Sequence, residues 1–170
     1  IMLVTRDGRA INLAESYGAR VLVDSPEDDV TKAIAKAAAE LAGEGFQTML
    51  TVMSDIPLLT TREVEVLLML DRRSVGSILI PSGDGQGTNA VLCSPAHYSH
   101  FRFDGKSYRL NKDLAASCGR PVRQHISRDI GLDIDTIEDI DRFLKRKSST
   151  VTAHCLNALG YQEGVMTIAN

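Results

Sequence analysis

The sequence contains no run of about 18 consecutive apolar residues, the length that a membrane-spanning helix needs, so we expect no membrane span. It also lacks the broad basic excess of a general nucleic-acid-binding protein, since 22 Asp and Glu residues outnumber 19 Lys and Arg residues. The three cysteines, Cys93, Cys118 and Cys155, are far apart and odd in number. This pattern argues against a disulfide framework or a zinc site and is typical of a protein of the reducing cytoplasm.

Several catalytic motifs are absent as well. The sequence has no G-x-S-x-G segment, no Walker loop of the form G-x-x-x-x-G-K-[ST], and no G-x-G-x-x-G segment that opens a helix. The four histidines, His97, His100, His125 and His154, do not show the spacing of a helical metal site, and we interpret them as structural or solvent-exposed. Nucleophilic catalysis by a Ser/His/Asp or Cys/His arrangement is therefore not indicated.

The hydrophobic pattern predicts one α/β domain. The chain has 170 residues, of which 44% are hydrophobic and 24% charged, which is ordinary for a globular domain with a sizeable core. Apolar runs of strand length alternate with helix-length segments, a pattern typical of a mainly parallel sheet flanked by helices. We predict strands over residues 1–5, 20–23, 48–53, 77–81, 89–94 and 122–126, and helices over residues 10–17, 27–42, 61–70, 107–118, 137–145 and 153–159.

Carboxylates follow two of the apolar segments. Asp55 comes directly after the strand predicted over residues 48–53, and Asp133 and Asp135 would face the same side of an extended segment. Because carboxylates held close together repel each other unless a cation lies between them, these three residues are candidate catalytic residues and ligands of a divalent metal ion. The alternatives are that Asp55 caps the turn before Pro57 and that Asp135 supports the next helix, with Asp133 in solvent.

A glycine-rich segment, residues 81–90, separates two predicted strands. Its glycines permit close backbone approach, and the N–H groups of such loops bind phosphates. Gly87, Thr88 and Asn89 are candidate substrate-binding residues because they lie between this loop and an apolar strand. The alternative is a flexible surface hairpin.

A second candidate anion site precedes the helix predicted at residue 107. Gly105, Lys106 and Ser107 would leave free N–H groups and a lysine at the helix start, where a phosphate or carboxylate binds well. The surrounding residues, 101–128, contain seven basic residues and two acidic ones, which suits a small anionic substrate. The alternatives are that Ser107 is an ordinary N-cap and that the basic side chains cover a solvated helix face.

In order along the chain, these segments resemble the phospholactate guanylyltransferase family, called CofC or FbiD, which acts in biosynthesis of the deazaflavin redox coenzyme. The resemblance covers about residues 1–144, and its most specific parts are the G-T-N-A and L-D-x-D-T-x-x-D segments. It rests on Leu3-Val4-Thr5-Arg6-Asp7, Ser54-Asp55-Ile56-Pro57-Leu58-Leu59-Thr60, Gly87-Thr88-Asn89-Ala90-Val91-Leu92, Phe103–Tyr108 and Gly131-Leu132-Asp133-Ile134-Asp135-Thr136-Ile137-Glu138-Asp139.

The resemblance implies a Rossmann-like nucleotidyltransferase fold with a mixed, mainly parallel sheet flanked by helices. It implies that GMP from GTP is joined to the phosphate of a small phosphorylated carboxylic acid, with release of pyrophosphate. The candidate acceptors are 2-phospho-L-lactate, phosphoenolpyruvate and 3-phosphoglycerate. Asp55, Asp133 and Asp135 match the family's Mg²⁺-holding aspartates, and Thr88, Gly105 and Ser107 match its contacts to the acceptor.

We expect the nucleotidyltransferase domain to cover residues 1–147 and a C-terminal extension to cover residues 148–170. Ile1 opens directly into an apolar strand, and the family's first strand and nucleotide loop would precede it, so we expect that residues are missing upstream. A homodimer formed through the extension is a hypothesis that only its position suggests.

Two positions depart from the family's pattern. Thr31 stands where relatives carry an Asn near the nucleotide, and Asp104 stands where the acceptor loop usually has a Gly. Two alternatives to the guanylyltransferase interpretation therefore remain: another nucleotidyltransferase with a molybdopterin or sugar-phosphate acceptor, and a non-catalytic nucleotide-binding module.

Overall fold

The computed structural model of the protein describes residues 1–71, 76–94, 101–117 and 121–161, and this part of the chain forms six strands and six helices. Each predicted element is present, with ends that differ from the prediction by at most three residues. The strands are β1 (Met2–Val4), β2 (Arg20–Leu22), β3 (Met49–Val52), β4 (Ser77–Pro81), β5 (Thr88–Cys93) and β6 (Val122–Gln124). The helices are α1 (Gly8–Ser16), α2 (Val30–Gly43), α3 (Thr61–Asp71), α4 (Ser107–Ser117), α5 (Ile137–Lys145) and α6 (Val151–Ala158).

Local capping determines where two of the helices begin. The Asp29 carboxylate accepts a hydrogen bond from the Lys32 N–H at 2.8 Å, so α2 begins at Val30. The sequence predicts a start at residue 27. At α5, Thr136 is the N-cap, and Asp139 closes a capping box with it. None of the described helices is long and apolar enough to cross a membrane.

The strands form a four-stranded mixed sheet and a separate parallel pair. The order in the larger sheet is β3-β5-β4-β6; β5 runs antiparallel to both of its neighbours, and β4 and β6 are parallel. β1 and β2 form the parallel pair, against which α1 and α2 pack. The mixed α/β architecture confirms the predicted fold class.

The two central strands, β4 and β5, are buried along their whole length and separate two apolar layers. Because successive side chains of a strand point to opposite faces, Leu79 and Val91 pack towards α2 and α4, whereas Ile78 and Leu92 pack towards α3. A third cluster joins α5 to α6: Phe143 is fully buried and packs with Leu58 and Ala153. The sheet is thus a platform packed on both faces, and its strand ends carry the candidate site residues.

The residues His97, His100, Cys118 and Arg120 of the sequence-based interpretation, and residues 162–170 of the predicted extension, lie outside the described residues. Of the other two cysteines, Cys93 is buried in β5 and Cys155 is exposed on α6, and neither forms a disulfide within the described part of the chain.

Candidate active site

A cavity of about 1080 Å³ opens where β3, β4 and β5 meet the segments 103–107 and 124–146. Most of the predicted site residues line it: Asp55, Gly87, Thr88, Asn89, Gly105, Ser107, Asp133 and Asp135. Lys106 is exposed and does not belong to this lining, so the structure does not bring its side chain to the cavity wall. Residues that are distant in the sequence therefore meet in one concavity.

A backbone hydrogen bond brings the three predicted aspartates together. The Ile134 N–H donates to the Asp55 carbonyl oxygen at 3.1 Å, which holds the segment of Asp133 and Asp135 against the end of β3. Asp55 and Asp135 are exposed to solvent, and Asp133 is half-buried. Asp133 and Asp135, which are two residues apart, both line the cavity.

The electrostatics of this cluster disfavour a third negative charge. Partial loss of hydration raises the pKa of the Asp55 carboxyl, and the charges of Asp133 and Asp135 raise it further, although a hydrogen bond from a backbone N–H opposes the shift. Water reaches much of the Asp55 side chain. Its position in a concavity nevertheless removes part of the hydration of the carboxylate and places it near the charges of Asp133 and Asp135. The three carboxylates therefore form a region of negative potential that a cation would relieve.

The donor set suits a hard divalent cation that is shared with a substrate. Among the described residues, no three His, Cys, Asp or Glu side chains converge closely enough to enclose a metal ion by themselves. Mg²⁺ commonly takes only one or two protein carboxylates and completes its octahedron with water and substrate phosphates. Carboxylates spread along one side of an open cavity fit that mode of binding better than they fit a closed protein cage.

The glycine-rich loop is closed by its own hydrogen bonds. The Ser82 hydroxyl donates to the Asp84 carboxylate at 2.5 Å and accepts from the Gly87 N–H at 2.8 Å, while the Gln86 N–H donates to Asp84 at 2.9 Å. Gly85 adopts a φ of +74°, which favours glycine, and its N–H donates to the Ser82 carbonyl oxygen at 2.9 Å. The hydrogen bond from Ser82 and those from backbone N–H groups lower the pKa of Asp84.

The structure narrows the expectation that this loop offers its N–H groups to a phosphate. The N–H groups of Gly85, Gln86 and Gly87 already have partners inside the loop. The loop forms one wall of the cavity. Gly87 is part of that wall, but its N–H group donates to Ser82 and is not available to a ligand.

The two candidate residues that follow the loop have different roles. Thr88 is 5% exposed, and its hydroxyl oxygen accepts hydrogen bonds from the Ser107 hydroxyl at 3.1 Å and from the Asn111 side-chain amide at 3.0 Å. Asn89 is also buried, and its amide donates to the Ile130 carbonyl oxygen at 2.9 Å. Asn89 thus ties β5 to the turn that precedes Asp133, and Thr88 joins the loop to α4.

Asn111 is the site residue that the sequence reasoning missed. It is fully buried in α4, and with Ser107 and Ala115 it occupies the inward face of that helix at a spacing of four residues. A polar amide between two inward-facing positions was the available signal, because a buried amide needs partners.

The cationic side of the cavity lies later in the chain than predicted. Of the described basic residues in the segment 101–128, Arg128 lines the cavity; Arg120 lies outside the described residues. Arg142 and Arg146 also line it, paired with Asp139 at 3.0 Å and with Asp129, respectively. Arginine and aspartate side chains thus share one cavity, which suits polyanionic substrates accompanied by a cation.

Comparison with known proteins identifies a family. A family model described as "Guanylyl transferase CofC like" matches residues 1–166, a range that includes most of the predicted C-terminal extension. The resemblance drawn from the motifs is thereby confirmed.

Three curated relatives are named as guanylyltransferases with different acceptors. A phosphoenolpyruvate guanylyltransferase from Conexibacter woesei is 28% identical over 83% of this chain and 64% of its own length. A 2-phospho-L-lactate guanylyltransferase from Methanothermobacter thermautotrophicus is 27% identical over 95% of this chain and 70% of its own length. A 3-phospho-D-glycerate guanylyltransferase from Colwellia psychrerythraea is 31% identical over 89% and 71%, respectively. The chain thus spans between 64% and 71% of the length of these relatives.

Solved structures share the fold at low sequence identity. A protein assigned as a nucleotide-diphospho-sugar transferase from Desulfovibrio desulfuricans G20 matches with a TM-score of 0.73 and 15% identity, over 94% of this chain and 73% of that chain. A manganese complex of a protein from Mycobacterium tuberculosis H37Rv matches with a TM-score of 0.55 and 18% identity, over 85% and 78%. These matches show a nucleotidyltransferase-like fold.

Proposed function

The chain belongs to the CofC-like guanylyltransferase family, and on that premise we propose that it serves the transfer of GMP from GTP to the phosphate of a small phosphorylated carboxylic acid. An oxygen of the acceptor phosphate attacks the α-phosphorus of GTP in line, and the bond between the α-phosphorus and the oxygen that bridges to the β-phosphorus breaks. Pyrophosphate leaves with the electron pair of that bond.

One observation carries the proposal. Asp55, Asp133 and Asp135 line the same cavity as Thr88 and Ser107, although these residues come from distant parts of the chain. The carboxylates suit the metal-assisted handling of phosphates, and the buried hydroxyls suit an anionic acceptor. Both requirements of a nucleotidyl transfer to an anion are therefore met within one concavity.

The reaction needs no general base. A phosphate monoester is already ionised at neutral pH, so its oxygen attacks without losing a proton to the protein, which agrees with a lining that contains no histidine among the described residues. The chain's own residues orient the two substrates: Arg128 offers charge to phosphate oxygens, and Thr88 meets the acceptor.

Asp55, Asp133 and Asp135 are the residues that would hold a divalent cation, which we propose to be Mg²⁺. Bound there, it would reduce the repulsion between the two anionic substrates and stabilise the charge that develops on pyrophosphate. The manganese complex among the structural neighbours supports the use of a divalent metal in this fold.

The acceptor class follows from the named relatives. The named relatives act on phosphoenolpyruvate, 2-phospho-L-lactate and 3-phospho-D-glycerate, all small acids that carry one phosphate and one carboxylate. These three acids are the candidate acceptors, and because they are metabolites of the cytoplasm, the proposal includes a cytoplasmic enzyme. Deazaflavin coenzyme biosynthesis is the proposed role.

Pyrophosphate release tests the proposal. The protein is incubated with Mg²⁺ while GTP, ATP and CTP are crossed against the three phospho-acids and a control without acceptor, and the phosphodiester product is identified by mass spectrometry. We expect release that requires GTP and one phospho-acid. A chain extended upstream to the length of the relatives is assayed in parallel, because this chain spans only part of them.

The outcomes separate the alternatives. Pyrophosphate release with CTP or ATP, or with a sugar phosphate as acceptor, would show that the protein is a different nucleotidyltransferase and not a guanylyltransferase for phospho-acids. GTP binding without release in both chain lengths, from protein whose fold is verified by circular dichroism, would favour the non-catalytic nucleotide-binding module.

A further inference from the structure

Behind the wall of the cavity lies the side chain of Asn111. Asn111 is 0% exposed, belongs to α4 and does not line the cavity, whereas its two neighbours in the network, Thr88 and Ser107, do. A buried amide without partners would destabilise the fold, so the partners of Asn111 indicate what it does.

The Asn111 side chain makes three hydrogen bonds to described residues, and they connect α4 to Arg102 and to Thr88 at the cavity wall. Its side-chain oxygen accepts from the Arg102 N–H at 2.8 Å, and its amide donates to the Arg102 carbonyl oxygen at 2.7 Å and to the Thr88 hydroxyl at 3.0 Å. Both amide protons are therefore in use. One side chain thus holds the chain at Arg102 and the hydroxyl of Thr88 in a single arrangement.

The arrangement determines the direction of the Thr88 proton. A threonine hydroxyl has two acceptor lone pairs and one donor proton. Asn111 and Ser107 both donate to this oxygen, so both lone pairs are occupied. In the described part of the chain, the Thr88 hydroxyl donates to no protein acceptor, and its proton is left for a molecule in the cavity.

We propose that Asn111 is a positioning residue that fixes the Thr88 hydroxyl as a hydrogen-bond donor to an anionic oxygen of the phospho-acid acceptor. The inference rests on the proposed function in that it identifies the acceptor with the anion bound at Thr88. Ser107 acts in the same direction: its hydroxyl gives its proton to Thr88, so the pair presents one donor to the acceptor and not two.

Without the Asn111 amide, one lone pair of Thr88 becomes free and the hydroxyl can rotate. The Arg102 backbone also loses both of its contacts with the amide. The next residue, Phe103, lines the cavity and donates its N–H to the Thr31 hydroxyl at 3.1 Å, a contact that holds this segment independently of Asn111.

Steady-state kinetics of Asn111→Ala and Thr88→Val test the inference. We expect each variant to raise the KM of the acceptor by about tenfold or more, the range for losing a hydrogen bond to a charged group, while the KM of GTP stays within about twofold. In the Thr88→Val background, Asn111→Ala should raise the acceptor KM by less than about a further twofold, because Asn111 acts through Thr88.

Asn157→Ala, which removes an exposed amide from α6, is the matched control and should change neither KM. Equal increases in the KM values of GTP and acceptor, or equal effects of Asn111→Ala in both backgrounds, would mean that Asn111 only supports the fold and would overturn the inference.

A measurement on the unaltered protein covers the case in which Asn111→Ala does not fold. The side-chain amide resonance of Asn111 in ¹⁵N-labelled protein is followed while 3-phosphoglycerate, phosphoenolpyruvate or 2-phospho-L-lactate is added without GTP. We expect one of the acids to shift it, because an anion at Thr88 polarises the hydroxyl to which the amide donates.

No shift with any of the three acids would overturn the inference. If an acid shifts the resonance but the upstream-extended chain releases no pyrophosphate, the inference stands and the proposed function is contradicted. The two failures are therefore distinguishable.

Discussion

Replacing Gly131 by alanine tests whether the turn before Asp133 positions the aspartates. A Cβ atom at Gly131 would lie 2.7 Å from the Ser127 carbonyl oxygen, the same oxygen that accepts the Gly131 N–H at 3.0 Å. On its other side, Gly131 meets Gly83 so closely that a Cβ on Gly83 would lie 2.9 Å from the Gly131 carbonyl oxygen. The turn is therefore packed between two backbone segments that cannot yield as a flexible side chain would.

The size of the effect follows from these distances. Ordinary van der Waals contact of a Cβ begins at 3.4 Å, so the turn must open by about 0.7 Å to accept the methyl group of alanine. Overpacking of this kind costs about 1–3 kcal/mol, which corresponds to a fall in Tm of roughly 2–12 °C for a chain of this length. Because a displacement of about 1 Å in an active site can cost on the order of a hundredfold in rate, we expect kcat/KM to fall by about tenfold or more.

Thermal denaturation and pyrophosphate release of Gly131→Ala are compared with those of Gly43→Ala. A Cβ at Gly43 meets nothing within 4 Å, and Gly43 closes α2 away from the cavity, so that variant should keep the Tm and the activity of the parent or gain slightly in stability. If both variants behaved alike, the close packing of the turn would not control the geometry of Asp133, and the reasoning would fail.

Three further predictions concern the charges of the cavity. Asp133→Asn should lower Mg²⁺-dependent activity by at least about 10–100-fold, as loss of a metal-site residue does, without lowering the Tm of the metal-free protein, because it removes one of the mutually repelling charges; a lower metal-free Tm would contradict this. Since the pKa of Asp55 is raised in the folded state, ionisation of its carboxyl lowers the free energy of unfolding. This destabilisation is absent below the unfolded-state pKa of about 3.9 and complete above the raised folded-state pKa. Asp55→Asn should therefore raise the metal-free Tm at pH 7 and not at pH 3.5, and an equal change at both pH values would show that charge is not the cause. Arg128→Gln should lower kcat/KM by about tenfold and make it less sensitive to salt, whereas Arg109→Gln, outside the cavity lining, should leave both unchanged; equal effects of the two would show that Arg128 has no special place.

The features that depend on neighbours in sequence were predictable. The capping box of Thr136 and Asp139 and the reciprocal contacts of Thr60 and Glu63 could be predicted because each involves residues three positions apart. The bounds of β4 could be predicted because a short apolar run ends at a proline and a glycine-rich turn. Local chemistry determines these elements, and the tertiary structure does not override it.

The features that depend on distant pairing were not predictable in the same way. Nothing near β5 shows that it lies between β3 and β4 and runs against both, because strand order is decided by packing across the whole sheet. For the same reason the use of Asn89 to hold the Ile130 carbonyl became evident only from the structure. A polar residue next to a strand looks the same in sequence whether it faces a substrate or a backbone carbonyl.

The hydrogen bond from the Ile134 N–H to the Asp55 carbonyl oxygen makes the formation of the site depend on the docking of two segments that are far apart in the sequence. It joins segments on opposite sides of the central strands, so a partly folded chain that has assembled β4 and β5 but not docked the segment of Asp133 has no aspartate cluster. The exchange of this one amide hydrogen with solvent would therefore report how often a folded molecule loses its competent site.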